Sequence, residues 1–256
     1  MNKDRLKKLA SEKRFISGIY NYCDRWCERC PQTSHCLNFA CSEEEFADPE
    51  TRDIQNEAFW LKLSEAFRDA LELLKDAAEE HGIDLENLDT EQSHEESEQK
   101  DAMAKSHEIC RAAKVYSDIV QDWFASPANL LVASPALDRG EAGLEEALEV
   151  IRWYQHFICV KLMRAVRGEL DEKEEDLDEY PKDSEGSAKI ALIAIDRSIG
   201  AWGTIYAHDS FQNEKILRFI AYLDRLREEV EKTLPGARSF ARPGFEKIDL
   251  GRSGNC

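Results

Sequence analysis

An all-α fold follows from three observations. Apolar residues recur at helical spacing in several separate blocks, no block alternates with the two-residue period of a half-buried strand, and no repeat of 20–50 residues divides the chain. The predicted architecture is a bundle of about five helices with an N-terminal cysteine-rich metal-binding segment. That segment covers 1–45, the helical bundle 46–234 with acidic loops at 83–101 and 171–187, and a C-terminal tail 235–256.

The first element contains the stretch YNYCDRWCERCPQTSHCLNFAC, residues 20–41, which holds five of the eight cysteines. From 15 to 29 the spacing of Phe15, Ile19, Tyr22 and Trp26 predicts a helix with one apolar stripe. On that helix Cys23, Cys27 and Cys30 would fall within about 60° of one another. A straight helix would still hold Cys23 and Cys30 ~10 Å apart along its axis. Ligands of one tetrahedral zinc need sulfurs only about 4 Å apart, given a Zn–S distance of ~2.3 Å. Pro31 supplies the expected break, because it disfavours α conformation at Cys30 and turns the chain so that Cys36 approaches the earlier pair. The pattern is then Cx3Cx2CPx4C: Cys23, Cys27, Cys30 and Cys36 as ligands, with His35 or Cys41 as alternative fourth ligands.

Structural zinc sites usually take two short-spaced ligand pairs separated by a longer insert, whereas iron–sulfur clusters often take consecutive cysteines from one compact loop. The pattern therefore points to a [4Fe–4S] cluster, with zinc as the alternative and ordinary buried cysteines on the edge of a core as the plain reading. The charged neighbours Asp24, Arg25, Glu28 and Arg29 argue against a fully buried segment. The Cx3Cx2C spacing of Cys23, Cys27 and Cys30 is similar to the cluster-binding fingerprint of radical S-adenosylmethionine enzymes. The resemblance covers those three residues alone and implies a strand-rich α/β barrel. Since this chain has no alternating strand pattern, that family's chemistry is not carried over.

Five helices follow. The first is predicted over 54–80, where Ala58, Leu61, Ala66, Phe67, Ala70, Leu71, Leu74 and Ala78 recur at helical spacing before Gly82. The acidic stretch after it lacks apolar periodicity and reads as a loop. The second spans 102–125, ended by Ser126 and Pro127. Residues 128–140, ANLLVASPALDRG, fit either a short helix or an apolar loop. The third, 141–166, is apolar nearly all round its middle, as expected of the helix at the centre of a bundle. The fourth, 187–207, is rich in Ala and Gly, which permit close backbone approach, and the fifth spans 213–232 before Pro235 and Gly236.

A chain of 256 residues can bury a core without disulfide staples, so core stability does not explain the cysteines. Of the net charge of −18, the segments 83–101 and 171–185 carry −7 each, which leaves the body nearly balanced. No basic face suited to nucleic acid is visible. The N-terminus lacks the apolar core of a secretory signal and no apolar run reaches the ~18 residues of a membrane span, so a cytoplasmic location with reduced thiols is expected.

Elsewhere, His107 with Glu108, His156, and Asp196 with Arg197 lie on predicted helices. His156 is expected to be a hydrogen-bonded core histidine. Asp196 interrupts an apolar run and needs a partner such as Arg152, Arg197 or His156. A di-iron carboxylate centre needs two ExxH motifs, and the chain offers only Glu91 to His94. Trp60, Trp123, Trp153 and Trp202 read as core residues. The tail carries Phe240 and Phe245 among Pro-Gly turns and fits either docking on the body or disorder. Glycine-rich phosphate loops, GxSxG and HExxH are absent.

Three functions are compatible with this reading. The first is an iron–sulfur protein for electron transfer or redox sensing, served by a protein redox partner. The second is a zinc-stabilised helical interaction module, and the third an enzyme with its active site in the bundle core.

Overall fold

A computed structural model describes residues 3–85, 90–127, 142–175, 182–208 and 213–246. Among these residues every regular element is helical: α1 (Lys3–Ala10), α2 (Leu37–Glu45), α3 (Pro49–Arg52), α4 (Glu57–Glu80), α5 (Thr90–Ser106), α6 (Glu108–Ala125), α7 (Ala142–Glu175), α8 (Asp183–His208) and α9 (Asn213–Thr233), with short 3-10 turns at Cys27–Arg29 and Thr33–His35. No helix among them is long and apolar enough to cross a membrane. The chain forms two compact units, a cysteine unit of Met1–His94 with Ala241–Cys256 and a bundle unit of Glu95–Phe240. The stretch 128–140 lies outside the described residues.

The bundle unit is built on α6 to α9. Small residues set its closest approach: the Gly168 Cα faces the Ser184 backbone so tightly that a Cβ there would lie 3.3 Å from the Ser184 nitrogen. This agrees with the small-residue character of α8, whose Ala188, Ala191, Ala194 and Ile195 are fully buried. Trp202 and Tyr116 are also fully buried, and the indole Nε1 donates to the Tyr116 hydroxyl at 2.9 Å. Trp123 meets Trp202 edge-on at 5.2 Å between ring centroids. The tail joins this core through Leu234, Ala237 and Phe240, and Lys189 Nζ donates to the Arg238 carbonyl at 2.5 Å.

Four sequence expectations need correction in this unit. The acidic stretch 83–101 is not wholly a loop, because α5 begins at Thr90. Its residues are good helix formers, and ionic contacts replace the missing apolar stripe. Lys100 pairs with Asp171 at 2.7 Å, and Arg167 holds both Asp101 and Ser97. The loop expected at 171–187 is likewise shortened by α7 running to Glu175 and α8 starting at Asp183. The helix predicted over 102–125 is broken at His107, whose backbone is extended (φ −62°, ψ 142°). Finally, α7 is not buried all round: Ile151, Tyr154, Ile158 and Leu162 are fully buried, yet Val160 is 61% exposed and Trp153 faces solvent.

The cysteine unit is held differently. Arg5 on α1 forks onto the Glu44 carboxylate on α2 at 2.8–3.1 Å, and Lys62 on α4 reaches Glu45 at 3.0 Å. Asn56 caps α4 by accepting from Ala58 N–H, and Gly82, with φ +67°, follows its end. Among the described residues its buried apolar side chains are few: Leu9, Ile19, Trp26 and Ala78. Trp60, predicted as core, is 52% exposed; its indole instead donates to the Ile54 carbonyl at 3.0 Å.

Candidate metal centre

The helix expected over 15–29 does not form. Two residues in it take left-handed backbone, Gly18 (φ +72°) and Arg25 (φ +59°), and neither conformation fits a right-handed helix. The Asp24 carboxylate accepts the Trp26 N–H at 3.2 Å, closing a side-chain turn that competes with helical hydrogen bonding. The chain therefore runs as successive turns, with Cys30 extended before Pro31 (φ −83°, ψ 123°) and Cys36 extended before α2 (φ −104°, ψ 111°).

These turns place Cys23, Cys27, Cys30 and Cys36 in the lining of one small recess partly open to solvent. Its apolar wall comes from Ile19, Trp26, Phe39 and Phe245, and Arg25, Asp24, Gln32 and Thr33 complete the lining. All four cysteines are half-buried and outside any disulfide. Two of the sulfurs accept backbone N–H groups: Cys30 Sγ from Gln32 at 3.4 Å, and Cys36 Sγ from Phe39 at 3.5 Å. Cys36 is also the N-cap residue of α2, where the helix dipole favours negative charge. Burial first, then the neighbouring Cys23, Cys30 and Cys36, pushes the Cys27 thiol up. A cation removes that mutual penalty, because thiolates bind metal after losing their protons.

The alternative fourth ligands lie elsewhere. His35 Nδ1 is hydrogen-bonded to the Arg14 carbonyl at 2.9 Å, and the Ile16 N–H donates to the His35 carbonyl at 3.0 Å, so this residue ties two turns together. Cys41 opens onto a separate recess lined by Leu6, Glu45, Phe46 and Leu73, and burial raises its thiol, with Glu44 the next cause. Among the described residues no three or more His, Cys, Asp or Glu side chains are arranged to hold a single metal ion. The four thiols share the lining of one recess.

Phe245 is the wall residue that helical periodicity could not assign, lying more than 200 residues from Cys36 in the chain. Its local signal was the Pro243–Gly244 turn. Gly244 adopts φ +77° and lies so close to the N-terminal turns that a Cβ there would come within 2.7 Å of Ile19 Cδ1 and 2.9 Å of Ile16 Cδ1. The Arg242 guanidinium sits 4.7 Å from the Phe245 ring centroid, and Arg242 pairs with Glu246 at 3.0 Å.

The bundle residues considered as a second site have separate partners. Asp196 is bound by Arg238 at 2.7 Å and approached by Arg227 at 3.5 Å, in place of the predicted Arg152, Arg197 or His156. Arg197 bonds the Tyr154 hydroxyl. His156 is hydrogen-bonded to Ser117 Oγ at 2.6 Å and to Gln155 at 2.8 Å, but it is exposed and not part of the core. No known protein family, curated protein or solved structure matches this chain.

Proposed function

We propose that the cysteine unit holds a [4Fe–4S] cluster through Cys23, Cys27, Cys30 and Cys36, and that the protein transfers electrons or senses redox state with it. The observation that carries this reading is the presence of the four thiols in the lining of one recess, with backbone N–H groups directed at two of the sulfurs. A cubane cluster takes one thiolate on each iron, so its ligands must surround a volume. Tetrahedral zinc instead draws four sulfurs to within about 4 Å of each other. Four cysteines drawn consecutively from one compact segment fit the habit of the cluster more closely than the two short-spaced ligand pairs usual for structural zinc.

The surroundings support the same reading. A cluster bound by four thiolates is anionic, and Arg25 lines the recess. Hydrogen bonds to the sulfurs and an apolar wall are the means by which a protein sets a cluster's potential and limits solvent access. The scarcity of buried apolar side chains in this unit adds a second argument: a thin core gains most from a metal cross-link.

The test is iron, sulfide and zinc analysis, with a visible spectrum, on anaerobically purified protein. The expected result is brown protein with about four irons and four sulfides per chain, reduced to background by Cys27→Ala or Cys36→Ala and unaffected by Cys41→Ala. Colourless protein carrying one zinc per chain overturns the cluster and leaves the interaction-module reading.

A further inference from the structure

We infer that α4 is a self-association surface, on which two copies of this chain pair antiparallel about a two-fold axis. At 100° per residue most apolar residues of α4 span an arc of about 160°, wider than a surface helix needs to bury, while Ala58 and the 61%-exposed Leu61 lie outside it. One half of the arc, Phe59, Leu63, Ala66 and Leu73, is partly covered by the chain itself. The other half, Trp60, Phe67, Leu71 and Leu74, is between 52% and 63% exposed, and Ile54, tied to Trp60 through the indole hydrogen bond, extends it at 55%. Of the 24 residues of α4, only Ala78 is buried.

Area and charge together identify the occupant. The exposed large apolar residues of this face present on the order of 700 Å², more than a monomer usually leaves open and close to the ~800 Å² per partner of a standard interface. Beside the stripe, on the solvent side, stand Glu57 and Lys75, both exposed. They are 18 residues apart, which is five full helical turns, so they occupy the same flank at opposite ends of the stripe. A parallel two-fold pairing puts the same flank of the two copies on opposite sides of the seam, so neither residue meets a charged counterpart across it. An antiparallel pairing about an axis near Ala66 sets each Glu57 against Lys75 of the second copy, twice by symmetry. The same register seats Trp60 between Leu71 and Leu74 of the second copy, as knobs fill holes in paired helices. A surface complementary to itself in both shape and charge fits a second copy of the chain.

Sedimentation equilibrium on the full chain tests this. A dimer is expected below ~100 µM, and Phe67→Glu converts it to a monomer with an unchanged circular dichroism spectrum, because the side chain is already exposed. Lys75→Glu raises the dissociation constant about tenfold by opposing like charges at both ends, and adding Glu57→Lys to it restores the original value. A monomer at every concentration overturns the proposal. So does a dimer indifferent to Phe67→Glu, or a double charge reversal that fails to restore association.

Discussion

At Cys110 the side chain is 2% exposed, and burial, with Cys159 as the second cause, pushes the thiol up to about 12 from 9.0. A thiol that holds its proton more tightly in the folded chain stabilises the fold below pH 9, where both states are protonated. That contribution is lost as pH rises from 9 toward 12, because the unfolded chain ionises first. Urea midpoints at pH 8 and pH 10.5 should therefore fall further apart in the parent protein than in Cys110→Ala, which has no thiol to ionise. Equal pH slopes in the two proteins would remove burial of this thiol as a source of the dependence. Single residues were legible where chemistry is local: the clustering of cysteines needs no fold to be noticed. They were illegible where the partner is remote, as with Asp196, whose Arg238 lies 42 residues away in the tail.

Helices with an apolar stripe were readable from the chain, since α8 and α9 begin and end within four residues of their expected bounds. Two elements were not. The turns before α2 looked helical because Phe15, Ile19, Tyr22 and Trp26 share a helical spacing, while the left-handed backbone at Arg25 leaves no trace in a periodicity argument. For α5 the reverse holds: its support is ionic, through Arg167 and Lys100, so a search for apolar period passes over it. The 241–246 turn supplies one wall of the cysteine recess through Phe245. Gly244→Val combines an unfavourable φ with contact on Ile16 and Ile19, and should destabilise the cysteine unit by about 1–3 kcal/mol. Faster alkylation of metal-free thiols in the variant, at unchanged bundle stability, is the expected measurement. Alkylation at the parent rate would show that the turn does not close the recess.

The two units differ in how each is held as a body. The bundle unit buries Ile151, Tyr154, Leu162, Leu192, Trp202 and Leu223 completely, a core sufficient for helical stability without metal. The cysteine unit relies on few buried side chains and on charged contacts such as Arg5 with Glu44. Under the proposed function, removal of the cluster by a chelator is therefore expected to release amide protection at 15–46 and 241–246 while the slow-exchanging amides of α6 to α9 are retained. Hydrogen exchange followed by mass spectrometry reads both regions in one experiment. Retention of protection at 15–46 after complete metal removal would show that the turns are stable by themselves.

Phe245 faces the cysteines across nearly the full length of the polypeptide. During synthesis the four thiols leave the ribosome long before the residue that completes their enclosure. Until then the recess lacks that wall, and under the proposed function the thiols are open to whatever delivers iron and sulfide. Arrival of the last turn ends that interval, so for the proposed cluster the order of translation would separate loading from closure.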